Sequence, residues 1–518
     1  MTHLLFTIGA LTPAVLMLSA MLLSLLPMPS VGRLWQVFMV LSGLALLGTV
    51  IAACTGQQRL GFDPWLSASS LGTALALLVQ LLCTVIAAFS ARYLDAEPGQ
   101  RRYVTALAGV MVAVHLLLMA DHWVVLIAAW ALVGVALQHL LCFYPDRPFA
   151  LLAAHKKQIA DRVADLLLIG AAALAWSEVG SGSLSDLWTY LARNGMSNTL
   201  QFSAVCLVLA VILRTALLPV HGWLIQVMEA PTPVSALLHA GVVNLGGYVL
   251  IRFAPLLEQA MPARTLLVAF GLCTAVLAGM VMLTRVSIKV RLAWSTVAQM
   301  GFMLLECGLG LYTLAALHLI GHSLYKAHAF LSASTVVRQT RLQAMHIPQS
   351  TVAISLFFAP ALAIPMVLFV QSVSGLAAWP WWWSAVLGLA WAPLLWLPAE
   401  RCGLRAVGLH GLYGLLMVAG LTGAALLAHA LPLGIQDVPY QAFGMVALLG
   451  MVALYLCLVV LQLRPQALLT WRRWSYAGFY LDEAYTRLAL QLWPARWTSG
   501  VVERAAPKGP KSLVADAP

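Results

Sequence analysis

Arg214-Thr215-Ala216-Leu217-Leu218-Pro219-Val220-His221-Gly222-Trp223, followed by Glu229-Ala230-Pro231-Thr232-Pro233-Val234-Ser235-Ala236-Leu237-Leu238-His239, sets charges and prolines inside an otherwise apolar chain. Pro219, Pro231 and Pro233 each remove a backbone donor and break a helix. Broken backbone is tolerated at membrane depth only beside protein or water. If the flanking sequence spans a bilayer, this stretch is a broken helix within it. Arg214 and Glu229 beside the break then have two readings: the gate of a hydrated half-channel, or a structural ion pair holding the break together.

The flanking sequence does read as membrane. Over 518 residues the chain is 62% hydrophobic and 9% charged, with a mean hydropathy of +0.90. Soluble domains sit at roughly 45–50% apolar and about 25% charged, so a cytosolic enzyme, a secreted domain and a disordered chain are all excluded. Apolar runs long enough to span lie near 3–27, 34–54, 70–91, 103–120, 122–144, 159–177, 201–219, 233–251, 265–284, 292–310, 312–336, 350–372, 380–398, 407–430 and 441–463. The expected fold is an all-α polytopic membrane protein of about fifteen transmembrane helices, each needing about 20 apolar residues. The first run lacks the basic flank and small-residue cleavage site of a signal peptide and is expected to stay as a span.

Orientation follows from the basic loops, because Lys and Arg in short loops are retained in the cytoplasm. With the N-terminus in the periplasm, Arg33, Arg92, Arg101, Arg102, Arg147, Lys156, Lys157, Arg285, Lys289, Arg291, Arg338, Arg341, Arg401, Arg405, Arg464, Arg472 and Arg473 fall in cytoplasmic loops. Only Arg59, Arg193, Arg252 and Arg264 fall outside. The net charge of +11 is therefore a topology signal and not a nucleic-acid footprint. A multi-pass inner-membrane protein with a cytoplasmic C-terminal region is expected. Residues 1–463 form the bundle. Residues 464–497, rich in Trp and Arg, read as an amphipathic helix at the membrane interface, and 498–518 as a disordered tail.

Ionisable groups inside a span are costly and mark function or a partner. His318, His322 and Lys326 recur at every fourth residue, which sets them on one helix face about 6 Å apart. Imidazole accepts a proton on one nitrogen and donates from the other near working pH, and lysine is readily tuned by burial. The file reads as a relay, with inter-helix hydrogen bonding or a two-histidine metal site as alternatives; no carboxylate or Cys lies near enough in sequence to complete a metal shell. A further group, His155, Lys156, Lys157, Asp161, Arg162 and Asp165, opens the sixth run, and Asp165 continues into Leu166-Leu167-Leu168-Ile169 at membrane depth. The eight cysteines stand singly, without metal or disulfide spacing, and His115 and His139 read as polar packing residues. No Walker, haem or nucleophile motif is present. Neither a cofactor, a metal nor a catalytic residue is expected in this chain.

Several of these segments match a known pattern. Leu218–Leu224 and Met228–His239 resemble the signature of the antiporter-like subunits of complex I and of Mrp cation/proton antiporters. Ser295-Thr296-Val297-Ala298-Gln299-Met300-Gly301, the His318/His322/Lys326 helix, Leu60-Gly61-Phe62-Asp63, Trp130-Ala131-Leu132-Val133-Gly134, Asp161-Arg162-Val163-Ala164-Asp165 and Phe479-Tyr480-Leu481-Asp482-Glu483-Ala484-Tyr485 are similar to the same family, in the same order. The resemblance implies an antiporter-like bundle in which protons move along a mid-membrane polar axis. Its relay positions fall on Arg214, His239 and Lys326, with His318, His322 and Asp165 beside them. Three positions depart from the pattern. Ala131 stands where the family places a Glu, and Arg214 stands where it places an exchangeable Lys. From Gln343 to Pro398 there is no Lys, Arg, Asp or Glu. With those departures the chain looks like the membrane subunit of DAB-type inorganic-carbon transporters. That likeness implies H⁺ or Na⁺ flow energising CO₂ hydration to bicarbonate in a DabA-like, zinc-binding, carbonic-anhydrase-like partner. A proton-pumping subunit of a complex I, Mrp or hydrogenase-type assembly is the alternative, and a non-conducting membrane anchor for a soluble enzyme is a further one.

Overall fold

The computed structural model describes residues 2–27, 30–55, 62, 64–333, 351–376, 379–399, 404–464 and 466–494. Arg59, Leu60, Gly61, Asp63, Arg338, Arg341, Arg401 and the expected tail 498–518 lie outside them. The described residues form α-helices throughout: α1 Thr2–Leu25, α2 Val31–Thr55, α3 Ser70–Tyr93, α4 Gln100–Met119, α5 Trp123–Leu141, α6 Pro148–Val179 and α7 Leu184–Asn194. Next come α8 Asn198–Arg214, α9 Gly222–Gln226, α10 Thr232–Ala240, α11 Leu245–Arg252, α12 Ala254–Gln259, α13 Met261–Leu283, α14 Ile288–Leu309 and α15 Tyr312–Leu331. The remainder are α16 Ala353–Ser374, α17 Trp381–Trp391, α18 Leu404–His429, α19 Gln441–Leu463, α20 Leu469–Tyr476 and α21 Leu481–Leu492.

Eleven helices among the described residues are long and apolar enough to cross a membrane. Asn198–Arg214 and Trp381–Leu395 are shorter apolar helices. Helix α6 is 32 residues long and begins well before the expected run, because Pro148 occupies its first turn, where a missing N–H costs nothing. Its polar opening, from His155 to Asp165, is helical too. Gly180, at φ 76°, ends it.

Leu166, Ile169, Phe202 and Phe369 are among many large apolar side chains left more than half exposed on the bundle's outside, the surface that lipid covers. Inside, the segment Thr232–Arg252 is 89% buried over its apolar window, against 22% for Gln441–Leu463. The proline-rich stretch is therefore the centre of the molecule. Small residues draw its neighbours together: a Cβ on Gly271 would meet the Leu305 backbone nitrogen at 2.7 Å, and one on Gly301 the Ala275 nitrogen at 2.7 Å. Helices α13 and α14 thus pack backbone to backbone, the contact that small residues permit in bilayers.

Around the quoted stretch, α8 stops at Arg214 and Thr215–His221 is not helical; Pro219 lies there. Pro231 precedes α10 and Pro233 sits in its first turn. A second interruption, the tight turn Val242–Asn244, divides α10 from α11. Sequence periodicity joined these two as one run, 233–251, because the apolar pattern continues across Gly241.

The C-terminal stretch differs from the single helix expected over 464–497. It forms two short helices, α20 and α21, parted at Gly478 with Phe479 and Tyr480 at φ 58°. The second is held by Asp482, which reaches a buried lysine on α6.

Candidate functional site

Helix α15 carries the file that its spacing predicted. Lys326 and His322 are buried, at 1% and 6% exposure, and the His318 and His322 rings lie 6.1 Å apart. Lys326 Nζ donates to the Leu292 carbonyl at 3.0 Å and to Ser295 Oγ. Both partners belong to α14, which the glycine contact with α13 holds in place. Neither ring nitrogen of His322 meets a protein partner, and the same holds for His239. His239, on α10, is fully buried and stacks on Phe330 with ring centroids 4.6 Å apart. His322 lies within electrostatic reach of His318, Lys326 and His239, so the four form one cluster across α10 and α15. Buried polar groups are ordinarily hydrogen-bonded, and imidazoles with two free nitrogens in such a cluster suit water-mediated proton exchange.

Two members were missed. Glu306, on α14 and 3% exposed, accepts a hydrogen bond from His318 Nδ1 at 2.8 Å and ends the file. It is the lone carboxylate in the run 292–310, a signal the sequence held, but the Gly310 turn that folds it back on His318 was not read. Asn244, in the turn between α10 and α11, donates to the Ala240 carbonyl at 3.0 Å and to Ser323 Oγ at 2.7 Å, fastening the interruption to α15 one residue from His322.

The second centre surrounds the break. Arg214, 8% exposed, donates to Asp165 Oδ1 and to the Trp130 carbonyl at 2.8 Å. Its guanidinium lies 4.8 Å from the Trp130 ring centroid. Asp165 Oδ2 takes a second contact from Arg162 at 3.2 Å. Glu229 is not brought to Arg214. Its side chain is exposed, and its backbone carbonyl receives Arg147 Nη1 at 2.6 Å. The short turn Val227–Glu229 aims that carboxylate outward, so the Arg214–Glu229 pair is replaced by Arg214–Asp165. Beside it a cavity of about 120 Å³ is lined by Ala131, Gly134, Gln138, His139, Asp161 and Asp165, among others. It has room for a few water molecules.

The polar file continues along α6. Lys157 pairs with Asp161 one turn on. Lys156, fully buried, donates to Asp482 Oδ1 at 2.6 Å and Thr486 Oγ1 at 3.0 Å, both on α21. Gln226, on α9 beyond the break, donates to the other Asp482 oxygen at 3.1 Å. Among the described residues no three His, Cys, Asp or Glu side chains converge as a metal-ligand set.

Residues 120–393 match the transmembrane family described as NADH:quinone oxidoreductase/Mrp antiporter. The chain is 38% identical over 447 residues to the probable inorganic carbon transporter subunit DabB of Hydrogenovibrio crunogenus, covering 83% of this chain and 84% of that one. It is 37% identical over 491 residues to DabB2 of Halothiobacillus neapolitanus, covering 88% and 87%. In fold it is similar to a chain of the Mrp complex from Dietzia, with a TM-score of 0.58 at 21% identity, over 99% of this chain and 64% of that one. Lys326, Arg214, Asp165 and their partners lie within the matched residues, and the chain belongs to the NADH:quinone oxidoreductase/Mrp antiporter family and, within it, to the DabB-type inorganic carbon transporter subunits.

Proposed function

We propose that this chain is the ion-conducting membrane subunit of an energy-coupled inorganic carbon transporter. In this reading H⁺ or Na⁺ moves through the bundle and drives CO₂ hydration to bicarbonate in a DabA-like, zinc-binding, carbonic-anhydrase-like partner. The observation that carries it is the buried file Lys326–His322–His318 with His239 alongside, in which two imidazoles have no protein partner on either nitrogen. A purely structural set of polar side chains would be bonded to its neighbours. Movement of one charge down the membrane potential is worth about 2.3 kcal/mol per 100 mV, enough to pull a near-equilibrium hydration toward bicarbonate.

In this arrangement Lys326 holds and releases a proton toward Ser295 on one side and His322 on the other. His322 and His318 pass it along α15, and Glu306 receives it. Arginine keeps its proton at any working pH, so Arg214, clamped by Asp165, acts as a fixed positive gate and not as a relay. The reading takes α6, α8, α15 and α17 as spans besides the eleven, giving about fifteen, with α8, interrupted after Arg214 and followed by α9, as the broken helix, α20 and α21 at the cytoplasmic interface and the N-terminus in the periplasm.

The test is carbon-dependent growth in a host that otherwise needs elevated CO₂. The assembled transporter should restore growth in air, and Lys326→Ala should abolish it while the partner still co-purifies. Normal uptake by that variant would remove the relay. A second reading, a non-conducting anchor for the partner, is favoured by Ala131 and by the closed Arg214–Asp165 contact. Uptake that survives a protonophore and a sodium ionophore together would establish it.

A further inference from the structure

Glu306 stands near the close of α14, and the loop between α18 and α19 is folded over the turn that follows. Val438 and Tyr440 of that loop donate to the carbonyls of Gly310 and Leu309 at 2.8 and 3.0 Å, and Val438 leaves no room for a Cβ on Gly310. The loop brings in Asp437, whose Oδ1 accepts the Thr313 N–H at 2.7 Å. Its Oδ2 lies 3.8 Å from Nε2 of His429, the last residue of α18. The Asp437 and His429 side chains are 16% and 14% exposed, so both reach the surface, whereas Glu306 is buried. Glu306 and Asp437 both lie within electrostatic reach of Cys307. Thr313 precedes His318, the partner of Glu306, by five residues, or about 7.5 Å along the helix axis, a step that one or two water molecules span.

We infer that the relay opens to the outer face of the membrane through Asp437 and His429. This rests on the proton-conducting reading above and on its topology, in which the end of α14 and the loop between α18 and α19 face the periplasm. A proton on His429 Nε2 passes to Asp437 Oδ2, directly or through one water. Asp437 then gives its proton to a water, which hands one of its own to the Glu306 carboxylate and leaves Asp437 ionised for the next. Outward flow reverses the order. Burial, the largest influence on Asp437, raises its carboxyl above the usual range, as suits a group that must hold a proton between transfers. Tyr312 of α15, Arg264 of α13 and Glu258 of α12 share its surroundings; Arg264, donating to the Gly308 carbonyl at 3.0 Å, keeps its proton and is not a carrier. The route needs no ionisable group between Gln343 and Pro398, where the sequence has no Lys, Arg, Asp or Glu.

The assembled transporter, purified whole and reconstituted in liposomes, is to be driven by a potassium diffusion potential with valinomycin, and proton entry read from a pH dye in the lumen. Asp437→Asn keeps an oxygen for the Thr313 N–H but has no proton to exchange, so flux should fall about 10²-fold or more, the range of a lost proton-transfer group. Asp437→Glu keeps the carboxyl on a longer arm and should keep most of the flux. A role confined to capping α15 predicts the reverse order for these two variants. His429→Gln leaves the cap untouched and should slow the flux severalfold. Parent-level flux in Asp437→Asn or in His429→Gln, or a loss in Asp437→Glu as large as in Asp437→Asn, overturns the route. A parent that passes sodium and no protons also overturns it while ion conduction stands; a parent that passes neither removes the conducting reading itself.

Discussion

Asp165→Asn is the substitution whose outcome the structure determines most sharply. It removes the charge facing Arg214, whose side chain is 4% exposed, and leaves that guanidinium with neutral acceptors alone: the substituted amide oxygen, the Trp130 carbonyl at 2.8 Å and the indole ring. Removing one partner of a buried pair strands the other at a cost of about 3–5 kcal/mol. The reverse change, Arg214→Gln, is milder. Asp165 keeps Arg162 at 3.2 Å, and that arginine is 56% exposed, so the remaining contact is solvent-screened and the carboxylate is partly hydrated. A cost of about 1–3 kcal/mol is expected, the range for a group that loses one strong hydrogen bond. The pair Asp165→Leu with Arg214→Met, which strands nothing, should recover most of the stability. Thermal unfolding in detergent of the parent, Asp165→Asn, Arg214→Gln and the variant with both of those changes completes a double-mutant cycle. Equal losses for the two single variants, or a coupling energy below about 0.5 kcal/mol, would refute the assignment of Asp165 as the counter-ion. Arg214→Lys retains the pairing charge and should retain uptake.

Four more outcomes follow from the same geometry. Glu306→Gln keeps the shape and a hydrogen bond to His318 but removes the terminal acceptor, so carbon uptake should fall about 10²-fold or more, the range typical of a lost proton-transfer group, with assembly unchanged; uptake within twofold of the parent would exclude it. Asp482→Asn leaves the Lys156 ammonium buried beside an amide, at a cost of about 3–5 kcal/mol, and should release α21 to limited proteolysis between Leu481 and Leu492; an unchanged digestion pattern would show that α21 is held otherwise. Burial pushes the carboxyl of Asp437, in the loop between α18 and α19, above its usual range. The folded state then binds this proton more tightly than the unfolded chain, so its contribution to stability falls as pH rises through the window that opens near an ordinary Asp pKa of about 3.9. Asp437→Asn should flatten that part of the stability curve, and an unaltered slope would contradict the linkage. Gly301→Val places bulk where even a Cβ would come within 2.7 Å of the Ala275 nitrogen, so α13 and α14 should part and the protein should lose its folded yield, measured by fluorescence-detected size exclusion; a normal yield would mean that the contact is not limiting.

The residues that sequence reading placed well are those whose relation is local. His318, His322 and Lys326 share a face because a helix repeats every 3.6 residues, and no tertiary knowledge is needed to see it. Partners that lie far along the chain were not legible. Glu229, 15 positions on, is the carboxylate that sequence offers Arg214 if the two form an ion pair, whereas the contact comes from Asp165 on the packed helix α6. Lys156 stands in sequence as one of the polar residues that open the sixth run, and only the docking of α21 shows it to be buried against Asp482. The interruption at Val242–Asn244 escaped notice because neither a proline nor a charge marks it, and Asn244 is satisfied by Ser323 on another helix. Apolar spans announce themselves by length and composition; polar pairing inside the bundle depends on which helices touch.

Helix α15 has no side-chain cap of its own. Its first turn opens after Leu311, whose side chain accepts nothing, and the Thr313 N–H is received at 2.7 Å by Asp437, which the ribosome adds 124 residues later. Val438 and Tyr440 then donate to the carbonyls of Gly310 and Leu309 at 2.8 and 3.0 Å, clasping the hairpin between α14 and α15. During synthesis α15 enters the bilayer with its leading amides open, and it is sealed only once Asp437, Val438 and Tyr440 have been added. A nascent chain arrested earlier would carry the histidines and the lysine yet lack the closure that fixes Glu306 against them. The hairpin that carries Glu306 and the histidines is therefore closed by residues made after it, so its geometry is settled last.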